Sequence, residues 1–366
     1  MIIVINSTHF IPFAGGNFFD DYFANFAASK PQHQFIFIMP ATPVEQLITS
    51  NNIIQVGSYP KAKNALMWKL WLNYTLPAIA LKYNADVLIH TGGVCSLRTR
   101  LPQCLVISDL SFLHFPQFFQ KKQLRFLKKN MPAFLNKART IVTVSDFITK
   151  EIEQHYSIDK QKIHTLSLMA GDLYQPIDWI EKEAVKEMYA EGKEYFLFSG
   201  DIHPRHHLVN LLKAFSFFKK RQKSNMQLII TAKAVSANDP FIENFKTYKY
   251  RKEVKVLLDL PEKDLAKITA AAYAFLYPCM YEGLAIFALQ AMQCEVPVIT
   301  SNTGALIETT GDAVLYVDPE NFEDIADKMM LVFKDETKRT ELIKKGKLIV
   351  EKNKTDELWW ERLFAN

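Results

Sequence analysis

Along most of this 366-residue chain, short runs of β-branched or aromatic residues alternate with longer stretches whose apolar residues recur at helical spacing. Few folds accept that order, because strand, helix and strand in one sheet make a right-handed crossover between parallel strands. In the first half the strand candidates are residues 2–5, 35–39, 53–56, 87–90, 104–108 and 141–144, with helical patterns at 17–28, 64–83, 118–136 and 147–156. These runs lack alternation of apolar and polar residues, as expected when helices cover both faces of a sheet. At 171–193 the rhythm breaks. Gly171, Pro176 and the charged stretch Glu181 to Glu187 point to a connection between domains. The pattern then restarts, with strands expected at 195–199, 227–231, 254–257, 274–277, 298–301 and 314–317 and helices at 208–220, 262–272 and 286–293. Asn321 fits an N-cap for a helix whose core face is Phe322, Ile325, Ala326, Met329 and Phe333. The sequence thus predicts an α/β chain of two doubly wound domains, 1–170 and 194–350, joined by 171–193 and followed by a helix at 351–366. Such sheets take ligands beyond the carboxyl ends of their strands, so the cleft between two of them is the expected site.

The charge is uneven. The net value is +5, but residues 1–175 carry 17 Lys and Arg against 10 Asp and Glu, leaving 27 against 29 in the remainder. The most apolar stretch, 270–292, is interrupted by Pro278 and by Glu282-Gly283, so no membrane span is expected. The first six residues lack the basic flank of a secretion signal, and a cytoplasmic protein is expected. Cys95, Cys104, Cys279 and Cys294 form no paired spacing and read as reduced thiols without metal.

Three loops offer anion-binding chemistry. No G-x-x-x-x-G-K-[ST] or G-x-G-x-x-G motif is present. Gly15-Gly16 follows the first strand and opens a helix, which suits either a phosphate or a plain turn. Ser199-Gly200-Asp201-Ile202-His203-Pro204-Arg205-His206-His207 also joins a strand to a helix. It reads either as a solvated loop or as a phosphate clamp through the Arg205 fork. Glu282-Gly283-Leu284-Ala285 leads into a helix carrying Gln290, eight residues after Glu282. About two helical turns would place Glu282 and Gln290 toward one side.

Together these pieces resemble the retaining glycosyltransferase family 4. The likeness is clearest from Phe198 through Arg205 to Leu208, with Leu211, Leu212 and Phe215 after it, and in Tyr281-Glu282-Gly283 through Met292. Pro297 to Ser301, Glu308, Gly311 to Ala313 and Val317 to Pro319 continue it in order. Gly15-Gly16, Asp109 to Pro116 and Val142 to Ser145 match landmarks in the first half. The resemblance implies the GT-B fold, two Rossmann-like domains facing a central cleft with the C-terminal helix returning to the first domain. It implies retention without a required metal or other cofactor. A UDP- or GDP-sugar donor would be held by Gly15, Gly16, Gly200, Arg205, His206, Glu282, Gly283, Leu284, Ala285 and Gln290. Glu282, Arg205 and Asp109 would be catalytic, and Ser108, Asp109 and His114 would face a glycan or lipid-linked acceptor. Several positions depart from the family pattern. Ser108 stands for its His, His206 for its phosphate-binding Lys, Gln290 for its second Glu, Ala285 for Gly and Phe287 for Pro.

Two functions fit. One is a hexosyltransferase of cell-surface polysaccharide assembly; the other is a non-catalytic binding subunit on the same fold. A His in place of Lys predicts that donor affinity falls as pH rises through its titration near ~6.5. Lys121, Lys122, Arg125, Lys128 and Lys129 make either a solvated helix face or a surface for an anionic membrane. Nucleic acid is not expected as a partner.

Overall fold

The computed structural model describes residues 1–8, 16–39, 50–57, 65–166, 170–234 and 239–352. Gly15 and residues 353–366, within the span where a C-terminal helix is expected, lie outside the described residues. The chain divides into two compact units between residues 167 and 168.

The first unit is built on a seven-stranded parallel sheet. Its strands are β1 (Ile2–Asn6), β2 (Gln34–Met39), β3 (Ile53–Gly57), β4 (Val87–His90), β5 (Gln103–Ile107), β6 (Thr140–Thr143) and β7 (Ile163–Thr165). They lie in the order β3-β2-β1-β4-β5-β6-β7. The second unit has six parallel strands, β8 (Tyr195–Ser199), β9 (Gln227–Ala232), β10 (Val254–Leu258), β11 (Ala274–Tyr277), β12 (Val298–Ser301) and β13 (Val314–Val317). Their order is β10-β9-β8-β11-β12-β13. Each sheet reverses its strand order once, at β1/β4 and at β8/β11. The crevice at such a reversal is where doubly wound folds bind ligands.

Burial explains the strand sequences. Val4, Ile36, Leu88, Leu105 and Ile141 are all inaccessible, as are Phe196, Leu197, Ile229 and Leu276 in the second unit. Around the second sheet Phe196, Phe215 and Phe218 fill the space beneath the helix Leu208–Gln222. Helix starts follow local chemistry. Ser145 Oγ accepts from the Ile148 N–H at 3.3 Å, and Asn321 Oδ1 accepts from Asp324 N–H at 3.2 Å.

Three expectations change. The pattern at 64–83 reads as one helix, but the structure has Ala65–Leu70, a wider π turn at Trp71–Thr75, then Leu76–Lys82. Pro77 has no N–H to give the carbonyl of residue 73, so the regular ladder cannot run through. The Asn73 side chain enters the gap, donating to Lys69 O at 2.7 Å and accepting from Leu97 N–H at 2.8 Å. Second, the stretch 171–193 lies within the second unit and holds the helix Trp179–Ala190, capped by Asp178. Third, Gly304–Thr310 and Glu336–Lys352 are helices that the sequence pattern does not single out.

Candidate functional site

The strongest polar cluster lies at the carboxyl ends of β8 and β11, on the two strands flanking the reversal of the second sheet. After β8 the chain turns through Pro204–His206, and both Arg205 and His206 are buried, at 6% and 1% exposure. After β11 it runs through Cys279 to Ala285 before the helix Ile286–Gln293. The two loops are tied by Met280 N–H donating to Arg205 O at 2.9 Å. The loop after β12 joins them, since Ala305 N–H donates to Glu282 O at 2.8 Å and Thr303 Oγ1 to Met280 O at 2.9 Å.

Two glycines make this close packing possible. Gly200 has φ of +156°, and a Cβ there would sit 3.2 Å from the Phe198 ring and 3.3 Å from Tyr277. Gly304 has φ of +55°, and a Cβ there would lie 2.3 Å from the Glu282 carbonyl oxygen. Backbone leaves no room to yield, so only glycine lets the third loop approach Glu282.

A chain of side-chain hydrogen bonds runs through the cluster. Arg205 Nε–H donates to His206 Nε2 at 3.2 Å, and His206 Nδ1–H donates to the Asp201 carbonyl at 2.7 Å. Tyr277 Oη lies 3.3 Å from the same His206 Nε2 and donates to Glu282 Oε2 at 2.7 Å. Glu282 Oε1 accepts from Leu284 N–H at 3.4 Å, at the entrance to the following helix. The His206 ring is flanked by Phe198 and Tyr277, with centroids at 5.7 and 5.3 Å.

This geometry corrects the expectation for His206. Its Nε2 accepts and its Nδ1 donates, which is the bonding of a neutral imidazole. Burial first, and then the Arg205 guanidinium, hold its pKa well below the usual histidine value. His203 is alike: its Nδ1 accepts from Arg205 N–H at 3.3 Å, and burial with the neighbouring Arg205 charge lowers its pKa to about 4. His207, at left-handed φ of 47°, is also lowered, chiefly by burial. The loop from 199 to 207 contains no other Lys or Arg, so Arg205 is its fixed positive charge.

Other predicted residues fall as follows. Glu282 and Gln290 are both buried, but the helix begins only at Ile286, so a short loop and then about one helical turn, not two turns, separate them. Leu284 and Ala285 are buried at the same helix entrance, with Gly283 before them. Gly16 starts the helix Gly16–Ala28 in the first unit. Ser108 and Asp109 follow β5, both 5% exposed. One Asp109 oxygen accepts from Ser111 N–H at 2.6 Å. The Ser108 hydroxyl is buried and has no hydrogen-bond partner among the described residues. His114 is exposed and contacts Glu151.

Sequence reasoning missed Tyr277, Gly304 and a buried network at the reversal of the first sheet. There His90 Nε2–H donates to Gln103 Oε1 at 2.9 Å, and Asn6 Nδ2 donates to His90 Nδ1 at 3.4 Å. Burial lowers the His90 pKa to about 4. The available signal was a polar residue at the end of an apolar strand, as in Ile5-Asn6, Ile89-His90 and Leu276-Tyr277.

Comparisons with known proteins agree with this architecture. A family model described as glycosyltransferase family 4 matches residues 25–168, and one described as glycosyl transferases group 1 matches residues 180–349. The chain is 29% identical to the O-antigen chain mannosyltransferase B of Escherichia coli, over 72% of this chain and 69% of that protein. Its fold matches WaaG, a glycosyltransferase involved in lipopolysaccharide biosynthesis, with a TM-score of 0.80 at 13% identity, covering 99% and 98% of the two chains. It also matches Anabaena HepE in complex with UDP-glucose, with a TM-score of 0.74 at 12% identity over 99% and 98%. The chain therefore belongs to the family 4 glycosyltransferases, with the α/β GT-B fold, and is a glycosyltransferase of polysaccharide assembly.

Proposed function

We propose that the protein transfers a hexosyl group, a mannosyl group by likeness to its O-antigen relative, from a nucleoside diphosphate sugar to a glycan or lipid-linked acceptor with retention. The observation that carries this reading is the Arg205–His206–Tyr277–Glu282 chain at the β8/β11 reversal. It fixes one guanidinium and one carboxylate in a buried, hydrogen-bonded frame. A departing diphosphate needs preorganised positive charge, and Arg205 supplies it with little reorganisation. Glu282, held by the Leu284 N–H, accepts from a sugar hydroxyl, and the Ala285 N–H at the helix entrance serves the phosphates. Gln290 hydrogen-bonds the ribose, since its amide both donates and accepts. Gly200, just after β8, gives the donor close backbone approach.

In the reaction the acceptor hydroxyl oxygen bonds to the anomeric carbon as the bond to the phosphate oxygen breaks. The hydroxyl proton passes to that leaving oxygen, so no protein nucleophile, metal or other cofactor is required. Asp109 orients the acceptor hydroxyl, and Ser108 and His114 line the acceptor side. The side chains of Lys121, Lys122, Arg125, Lys128 and Lys129 are exposed on the helix Lys121–Lys137, and they fit an anionic membrane face that carries the acceptor.

A thermal-shift panel of UDP-, GDP- and ADP-sugars tests the reading, followed by transfer to lipid-linked acceptors. Stabilisation follows RT ln(1 + [L]/Kd). Selective stabilisation by one mannosyl donor, with transfer, supports the proposal; no donor binding overturns it. The orphan Ser108 hydroxyl, at the family's His position, favours a second reading, a subunit that binds the donor without transferring it. Binding without hydrolysis or transfer identifies that case.

A further inference from the structure

We propose that His114, Glu151 and His155 form a site for one divalent transition-metal ion of the zinc class. The site does not depend on the sugar donor or on the β8/β11 cluster. Glu151 and His155 lie four residues apart on the helix Asp146–His155, so one helix face presents both. His114 comes from a different element, the turn that follows Ser111–Leu113 after β5. One ligand atom from each of the three lies within 4.8 Å of the other two. Ligands at about 2.0–2.2 Å around tetrahedral zinc fit inside that spread.

The chemistry of the set is selective. Two imidazoles and one carboxylate suit zinc and its neighbours better than calcium or magnesium, which prefer oxygen cages. The carboxylate forms a floor, since Glu151 is buried, while His114 and His155 are exposed at the rim. The rings of the two histidines meet edge to face with centroids 5.6 Å apart, leaving both accessible from solvent. His114 Nε2 already contacts Glu151 Oε2, so the carboxylate and this ring are brought together before any ion binds. A metal ion would replace that direct contact by bonding both atoms. Three protein ligands leave a fourth position for water.

A second trio, His206, Cys279 and Glu282, has the same spacing but is a poorer site. Its His206 Nε2 is taken by Arg205 Nε–H, and the guanidinium there repels a cation. At the first site the ion joins the segment just after Asp109 to the helix that follows β6. It acts as a clip on the edge of the first sheet and, through His114, fixes one residue of the proposed acceptor side.

Titration of the full chain with cobalt(II) is the test. The expected result is one equivalent bound, with the visible bands of tetrahedral cobalt and no thiolate charge-transfer band. His155→Ala and His114→Ala should each weaken binding by at least about tenfold, in line with the 10–100-fold that even outer-sphere changes cost. His155→Ala, at an exposed side chain, keeps the parent melting temperature without metal, whereas His114→Ala also removes the contact to buried Glu151 and is read by metal affinity. Zinc should raise the melting temperature of the parent and not of His155→Ala. Absence of the visible bands, a thiolate band that places the ion at Cys279, or unchanged binding in both variants would overturn the proposal.

Discussion

The reversal points of the two sheets carry polar groups in opposite ways. In the second unit, Arg205, His206, Tyr277 and Glu282 form one chain that ends on a fixed charge of each sign. In the first unit, Asn6, His90 and Gln103 form an uncharged network that closes on backbone. One strand further out, the Ser108 hydroxyl is left without a partner among the described residues. A buried charge is costly unless hydrogen-bonded, and the chain in the second unit supplies those bonds. The network in the first unit is uncharged, and the Ser108 hydroxyl beside it leaves one hydrogen bond unmade.

That contrast can be broken at several points. The largest effect is expected for Arg205→Ala, which should lower kcat/KM by about 10²–10³-fold, the range for losing one preorganised donor to developing charge. Steady-state kinetics with the donor identified by thermal shift would measure it; a change below tenfold would mean that Arg205 does not hold the diphosphate.

Next is the acid response of the first network. His90 titrates near 4 in the folded chain against about 6.5 unfolded, so between those values the unfolded state binds the extra proton. Stability from this group is therefore constant above about 6.5 and falls by about 3 kcal/mol as pH drops toward 4. Chemical unfolding across that window should show the decline, and His90→Gln should remove this share of the slope. An unchanged slope would place His90 in solvent.

Gly304→Ala should cost about 2 kcal/mol or more, since it combines a left-handed φ with a collision on the Glu282 carbonyl. The same change should lower donor affinity, because it displaces Glu282. The smallest effect is expected at Ser108→Ala, within about 1 kcal/mol of neutral and favourable in sign, because an unpaired buried hydroxyl costs more than a methyl. A clear destabilisation would show that Ser108 is hydrogen-bonded after all.

Much of the architecture is legible in the sequence, because apolar runs and helical spacing are local. Most strands begin or end within a residue or two of where the pattern puts them. Arg205, His206 and Glu282 stand out from their loops as well. The pairing of Tyr277 with Glu282, and of Gly304 with the Glu282 carbonyl, joins residues whose contact depends on packing between loops, so no local pattern announces it. The charge of His206 is hidden from the sequence for a related reason. A free histidine titrates near ~6.5, but only the fold shows that this ring is buried and already accepts from Arg205. The break in the helical pattern at 64–83 is legible in Pro77, whose missing N–H opens the π turn.

If Arg205 holds the diphosphate and a neutral His206 holds Arg205, the pH of the medium should leave donor binding untouched. Donor affinity from pH 5.5 to 8 tests it directly, using a nucleotide sugar whose phosphates do not titrate in about that range. Parent protein, His206→Gln and His206→Lys are compared. Gln keeps an acceptor for Arg205 Nε–H, whereas Lys brings a second cation against the guanidinium. The expected result is affinity independent of pH in the parent, near-parent binding in the Gln variant, and binding weakened about tenfold or more in the Lys variant, the loss of one charge-assisted contact. Parent affinity that falls as pH rises through about 6.5, and is restored by Lys, would contradict it.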